Sequence, residues 1–349
     1  MSTEPEEAAP PPPLHPALRW FLTIISSFVV LLYLAFRFAL VGSKLYKKVP
    51  HQFPTKLRKN YKHGFIQLPS GISLHYVEEG KKSAPLMLCA HGFPEFWYSW
   101  RHQLRHFSKM YRVVAFDMRG YGESDKPEGI RSYSSDLLAA DIRDIIAALG
   151  YKDAVVLAHD WGGAAAWRAA SLFPSSISRL VILNCPHPGV MQRFMMQTPR
   201  QALRSWYMLF FQMPWLPEFA IASEDYRILR EGIHGDLLQL SQDGKITDVD
   251  IEAWKYIFSQ KGATTAAVNY YRCALQNPIA FLTRKLIQPK TLVVWGDGDA
   301  YLMRELGALS AEACRDGRCV YIKDASHWVQ QDQPTAVNQA IQAFLQEAD

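Results

Sequence analysis

The stretch from Val155 to Trp167 constrains this chain more than any other part of it. The apolar run Ala154 to Ala158 has the length and β-branched content of a strand buried on both faces. It stops abruptly at His159-Asp160-Trp161, and Gly162, Gly163 and three alanines then start a helix that can pack closely. So sharp a turn lifts the side chain at its apex above the sheet, and only small neighbours such as Ala158, Gly162 and Gly163 let strand and helix approach that near. Asp160 occupies the apex. It is either an aspartate capping a helix N-terminus or a carboxylate presented as a nucleophile.

The rest of the chain discriminates between these. Its 349 residues, 49% hydrophobic and 20% charged, can bury one large core or two modest ones. Five cysteines (Cys89, Cys185, Cys273, Cys314, Cys319) show no zinc-like spacing, and their odd number argues against a disulfide framework. With no Asn-x-Ser/Thr sequon, this pattern suits a reducing compartment. The sequence shows no metal cluster, glycine-rich phosphate loop or nucleotide fingerprint, so no cofactor and no metal are expected.

The N-terminal region reads in three parts. Residues 1–16 are rich in Pro, Glu and Ala and read as disordered. Residues 17–42 read as a membrane-anchor helix. Trp20 to Phe36 is apolar except for Thr23, Ser26 and Ser27, and Phe38 to Val41 resumes after Arg37. That is long enough to span a bilayer if Arg37 snorkels, which is preferred here over a helix lying on the membrane. A cleaved signal peptide fits poorly, because acids and prolines precede the apolar run and no small-residue cleavage site closes it. Residues 43–60 form a basic linker. Glu4, Glu6 and Glu7 precede the helix, while Lys44, Lys47, Lys48, Lys56, Arg58, Lys59 and Lys62 follow it, so the positive-inside rule puts the C-terminal domain in the cytosol. The net charge of +5 is concentrated here, where it meets anionic headgroups rather than nucleic acid.

Downstream, Gly64 to Leu68 and Ile72 to Val77 alternate as a hairpin around Pro69-Ser70-Gly71. Buried-strand runs follow at Pro85 to Ala90, Tyr111 to Phe116, the elbow strand, Leu180 to Asn184, Lys290 to Trp295 and Cys319 to Ile322, with helices at Ser135 to Leu149 and Pro334 to Leu345. This alternation predicts an α/β fold with a mostly parallel central sheet flanked by helices. Its core would comprise residues 61–187 and 289–349. Between them, residues 188–288 show no strand-like run and read as an aromatic-rich helical lid, with helices at Gln201 to Gln212 and Asp248 to Phe258.

An aspartate nucleophile needs a base for its second half-reaction, and the base needs an orienting carboxylate. In α/β-hydrolases the chain order is nucleophile, acid, histidine. Here Trp295-Gly-Asp-Gly-Asp299 closes one strand and Ser326-His327-Trp328 follows the next, both at strand C-termini, where open α/β sheets place their sites. His327 is the candidate base. Asp299 or Asp297 can orient it, and Asp299, at the loop's far end, is preferred. The loop His91-Gly-Phe-Pro94 is placed to supply the Phe93 backbone N–H, which with that of Trp161 would form an oxyanion hole.

The elbow His159-Asp-Trp-Gly-Gly163, the loop His91-Gly-Phe-Pro94 and the segment Arg119-Gly-Tyr-Gly-Glu-Ser124 together resemble those of epoxide hydrolases with the α/β-hydrolase fold. The similarity runs from about residue 60 to the end, and is nearest to the membrane-anchored branch that includes epoxide hydrolases 3 and 4. The resemblance implies a catalytic set of Asp160, Asp299 and His327. It also implies two lid tyrosines that hold the epoxide oxygen: Tyr207, in Trp206-Tyr-Met-Leu-Phe-Phe-Gln-Met-Pro214, and Tyr271, beside the easily confused Tyr270. It further implies a lipophilic epoxide substrate, including fatty-acid epoxides, bound among Phe93, Trp161 and Trp328, and an anchored position on the endoplasmic reticulum (microsomal) membrane. Haloalkane dehalogenases share the aspartate elbow and the Trp that follows it, but place an Asn where this chain has Phe93. A catalytically silent membrane-tethered scaffold is the remaining alternative, and every expected catalytic position is filled.

Overall fold

A computed structural model describes residues 15–234, 246–276 and 286–347. Eight strands form one sheet: β1 (Lys62–Gln67), β2 (Ser73–Glu79), β3 (Leu86–Ala90), β4 (Arg112–Phe116), β5 (Ala154–His159), β6 (Ile177–Leu183), β7 (Lys290–Gly296) and β8 (Gly317–Ile322). Their spatial order is β1-β2-β4-β3-β5-β6-β7-β8. β1 pairs antiparallel with β2, and β2 antiparallel with β4, while every other pairing is parallel. Strands β3, β4 and β5 are buried along their whole length, which is why they read as unbroken apolar runs instead of alternating ones. The helices that cover them pack in pairs, Ser135–Ala148 with Asp160–Leu172 and Arg101–Phe107 with Pro334–Leu345.

This strand order fixes where a site can form. From β3 the chain moves outward to β4, then returns across β3 to β5. The loops after β3 and β5 therefore diverge from adjacent strands and leave a crevice at their C-terminal ends.

Several boundaries differ from those read in the sequence. β5 includes His159, and β6 starts at Ile177 and ends before Asn184, whose φ of 37° takes it out of the strand. The segment Gln201 to Gln212 is two short helices, Pro199–Arg204 and Trp206–Phe210, separated at Ser205. Asp248–Ser259 is one helix, started by a reciprocal cap between Thr247 and Asp250. Among the described residues between β6 and β7 there is no named strand. Residues 235–245 and 277–285 of the expected lid, and residues 1–14 of the expected disordered N-terminus, lie outside the described residues.

The segment Leu216–Ile228 contains a sharp kink. Glu224, Asp225 and Tyr226 all have left-handed backbone, with φ of 50°, 59° and 57°. Each such residue costs about 1–3 kcal/mol and persists only where its surroundings hold it. Here all three side chains are tied down. Glu224 binds Arg37, Asp225 binds His51 at 2.7 Å and Lys255 at 2.5 Å, and the Tyr226 hydroxyl donates to the Phe258 carbonyl at 3.1 Å.

The N-terminal helix α1 (Pro16–Val41) is long and apolar enough to cross a membrane. It nevertheless touches the rest of the protein near both ends. Arg19 donates to the Leu275 carbonyl at 3.1 Å, and Arg37 makes two bonds to Glu224 at 2.8 and 2.5 Å. The expectation that Arg37 snorkels is thus corrected: it turns inward to a carboxylate partner.

Arg119 ties the core together. It donates to both oxygens of Asp141 at 2.6 and 2.5 Å and to the Ser132 carbonyl at 2.8 Å, all away from bulk water. Arg119→Ala should cost about 3–5 kcal/mol, because it leaves a buried carboxylate uncompensated. Arg119→Met combined with Asp141→Leu should recover most of that loss. Urea unfolding midpoints of the three chains check it.

Candidate active site

The elbow is built by close contact. Asp160 takes a left-handed φ of 47° between β5 and its helix. A Cβ on Gly92 would lie 2.4 Å from the Asp160 Cβ, and one on Gly162 would lie 2.3 Å from the Ala90 carbonyl oxygen. The two glycines therefore let the loop after β3 and the elbow after β5 interlock. The Phe93 amide uses that proximity to donate to Asp160 Oδ1 at 2.7 Å. The Trp161 amide lies in the first turn of the elbow helix, where N–H groups have no intrahelical acceptor.

His327 reaches the elbow from the far end of the chain. Its Nε2 lies 3.5 Å from Asp160 Oδ2, and its Nδ1 bonds Asp299 Oδ2 at 2.7 Å. Asp299 is fixed by the Tyr301 and Leu302 amides at 2.8 and 2.9 Å and by the Asn184 side-chain amide at 2.7 Å. Asp297, the other candidate, faces away and accepts from the Asp324 amide at 2.8 Å.

These contacts set the charges. Burial alone would raise the Asp160 pKa, but the His327 bond and charge, the charge of His159 and the Phe93 amide together hold it below the ordinary carboxylate value. Asp299 is likewise raised by burial and lowered further by His327, Asn184 and the Leu302 amide. Burial alone would lower His327, yet the two flanking carboxylates raise it well above an ordinary histidine. The resting arrangement is an imidazolium between two anions.

A cavity of about 970 Å³ opens over these groups. Phe93, Asp160, Tyr207, Tyr271, His327 and Trp328 are among the residues that line it. The Tyr207 and Tyr271 rings are 5.8 Å apart at 78°. Burial first, and then the Asp160 charge, push both phenols well above their usual pKa, so both keep their protons at neutral pH. Tyr270 points elsewhere: its hydroxyl donates to the Arg119 carbonyl at 2.7 Å, and its ring packs on Tyr121 and Tyr133. The Trp161 indole is not among the lining groups. It lies edge-on to Tyr271, with centroids 4.8 Å apart.

Four further residues belong to this arrangement and were not read from the sequence as part of it. Tyr301 lines the cavity, its ring 5.6 Å from His327 and 6.1 Å from Tyr207. Arg204 donates to the Asp299 carbonyl at 3.3 Å. Asn184 donates to Asp299 and accepts from the Gly296 amide at 2.8 Å. Glu95 is fully buried behind the site, bonded to His159 at 2.7 Å, the Gly92 amide at 3.0 Å, Gln330 at 3.0 Å and Gln331 at 2.8 Å. The usable signals were a carboxylate inside the aromatic run Phe93 to Trp100 and a polar residue closing the apolar run of β6.

Similarity to known proteins agrees with this geometry. A family model of the alpha/beta hydrolase fold matches residues 85–334. Epoxide hydrolase 2 of Caenorhabditis elegans is 43% identical over 300 residues, covering 86% of this chain and 84% of that protein. Human epoxide hydrolase 4 is 41% identical over 290 residues, covering 82% and 79%. Among solved structures, the Bacillus megaterium epoxide hydrolase in complex with an inhibitor superposes with a TM-score of 0.75 at 30% identity, covering 81% of this chain and all of that one. The chain belongs to the epoxide hydrolases of the α/β-hydrolase fold.

Proposed function

We propose that the chain opens lipophilic epoxides to vicinal diols through an ester on Asp160. The observation that carries this reading is a carboxylate, rather than a hydroxyl, at the elbow facing two protonated phenols across one cavity. A serine would form an ether that water cannot cleave, whereas a carboxylate forms a hydrolysable ester.

Phe93 already engages Oδ1, so Oδ2 is the attacking oxygen. As it bonds to a ring carbon, the C–O bond breaks and the epoxide oxygen takes a proton from Tyr207 or Tyr271. Ester formation consumes the Asp160 charge, and with it one of the two anions that keep His327 protonated. His327 then gives up its proton, which restores the tyrosine, and becomes the base. It deprotonates water, hydroxide adds to the ester carbonyl, and the oxyanion at Oδ1 is held by the Phe93 and Trp161 amides. Collapse expels the diol oxygen, which takes the remaining hydroxyl proton, and His327 is again an imidazolium.

In this reading residues 188–288 are the lid over a core of residues 61–187 and 289–349. Phe93, Trp328 and the lid aromatics bind the lipophilic part of the substrate, with fatty-acid epoxides within the class. Trp161 contributes its amide and the support its ring gives Tyr271. Residues 17–42 anchor the enzyme to a membrane, assigned to the endoplasmic reticulum with the catalytic domain facing the cytosol, and the linker 43–60 meets anionic headgroups.

Three experiments test it. In heavy-oxygen water, a single turnover should place label in Asp160 and none in the diol. Asp160→Ala should lose about 10⁴-fold or more in turnover, and His327→Gln should accumulate the alkylated enzyme, visible by mass spectrometry. Halide release from haloalkanes without any diol from epoxides would overturn the reading.

Tyr207→Phe and Tyr271→Phe should each slow alkylation about 10²-fold. Tyr270→Phe should leave turnover within about twofold and instead cost about 1 kcal/mol of stability, through the lost bond to Arg119. Stopped-flow alkylation and urea melts read the two effects separately.

The pH dependence follows from the same charges. Alkylation needs ionised Asp160, whose pKa is depressed, so its rate should stay flat as pH falls to the ordinary carboxylate range. Ester hydrolysis needs neutral His327, whose pKa Asp299 raises, so kcat should fall as pH drops through the His327 value. Asp299→Asn removes that charge and should move this acid limb to lower pH while lowering kcat.

A further inference from the structure

One wall of the cavity is not part of the catalytic domain. Val30, Tyr33 and Leu34 of α1 line it, together with Trp206, Ala220 and Ile228 of the lid. Tyr33, Trp206 and Ile228 are also about half exposed, at 50%, 45% and 48%. Residues that both line a cavity and face outward mark its mouth, so the mouth lies between α1 and the lid helices.

The polarity of α1 is the reverse of a water-facing helix. Its polar groups turn toward the protein: Thr23 and Ser27 are buried, Arg19 bonds the Leu275 carbonyl, and Arg37 pairs with Glu224. Its outward positions, among them Phe21, Ile24, Phe28, Leu32 and Phe36, are large and apolar. On a soluble helix the polar face points out. A span projecting from the domain would leave Thr23, Ser27 and Arg37 against lipid, where an unpaired arginine is costly. Arg19 and Arg37 are eighteen positions apart, about 27 Å along a helix, so the contacts hold α1 against the domain over most of its length. The apolar exposure continues onto the lid at Leu203 and Trp215, which are 74% and 82% exposed.

We propose that α1 lies in the plane of one membrane leaflet as a wall of the substrate cavity, and that lipophilic epoxide enters from the acyl region between α1 and the lid. The inference rests on the epoxide reading for the nature of the substrate. The left-handed turn at Glu224 and Asp225 borders this mouth, and α1 and its linker hold it through Arg37 and His51. Docking of α1 therefore shapes the entrance as well as anchoring the enzyme. The basic residues that follow α1, Lys44, Lys47 and Lys48, are placed to meet anionic headgroups.

The test uses the full chain in intact microsomes with an epitope at each end. An in-plane α1 leaves both epitopes open to added protease. A spanning α1 protects the N-terminal epitope until detergent is added, and that result overturns the proposal whether or not the enzyme is active. In parallel, Arg37→Glu should raise KM about tenfold for a long-chain epoxide dissolved in phosphatidylcholine vesicles, while leaving kcat/KM for styrene oxide within about twofold. Arg37→Glu combined with Glu224→Arg should restore the long-chain KM. Equal loss on both substrates, or no loss on either, overturns the entrance role. A wild-type chain that makes no diol from either epoxide defeats the epoxide reading instead, and the protease result still decides the placement of α1.

Discussion

The site depends on a buried hydrogen-bonded pair that lies behind it. Glu95 and His159 are both fully enclosed and 2.7 Å apart. Through them, three pieces of chain that are distant in sequence are held in register. Glu95 takes the Gly92 amide of the loop after β3 and the side-chain amides of Gln330 and Gln331, and His159, at the end of β5, bonds the His327 carbonyl at 2.9 Å. Burial works to raise Glu95, but His159 and the Gly92 amide outweigh it and keep the carboxylate charged. The pair is expensive to bury and worth its cost only because every bond is made.

The charges around Asp160 show the same economy. With two carboxylates and one imidazole packed together, the state of each depends on the others. In the proposed reaction this arrangement gives His327 two characters in turn, an acid partner while Asp160 is ionised and a base once it is not.

Much of this was legible in the sequence because it is local. The elbow, the loop at His91 and the succession of strands and helices are written in runs of small and apolar residues whose spacing dictates backbone geometry. Asp299 is preferred over Asp297 for its place in the loop, and it is on Asp299 that the Tyr301 and Leu302 amides and Asn184 converge. What the sequence concealed is non-local. Apart from the Gly92 amide, the partners of Glu95 and Asn184 named above lie more than sixty positions away, and no periodicity marks such a pair. The break at Ser205 was missed because aromatic composition reads as helix on either side of it. The inward turn of Arg37 was missed for a different reason: an arginine in an apolar run has one obvious escape, toward the interface, until a carboxylate from the lid offers another.

Asn184 carries one consequence for the lifetime of the enzyme. A side-chain amide has a fixed sense, donor on one side and acceptor on the other, and here the Gly296 amide needs the acceptor while Asp299 needs the donor. Hydrolysis of that amide, the usual thermal ageing of asparagine, would change one atom and almost no volume. It would set a second carboxylate against Asp299, and one of the two would then have to hold a proton. Asp299 keeps its bonds to His327 and to the Tyr301 and Leu302 amides, so the new acid would be the one to hold the proton, and the donor that now comes with the amide would then last only as long as that proton stayed bound.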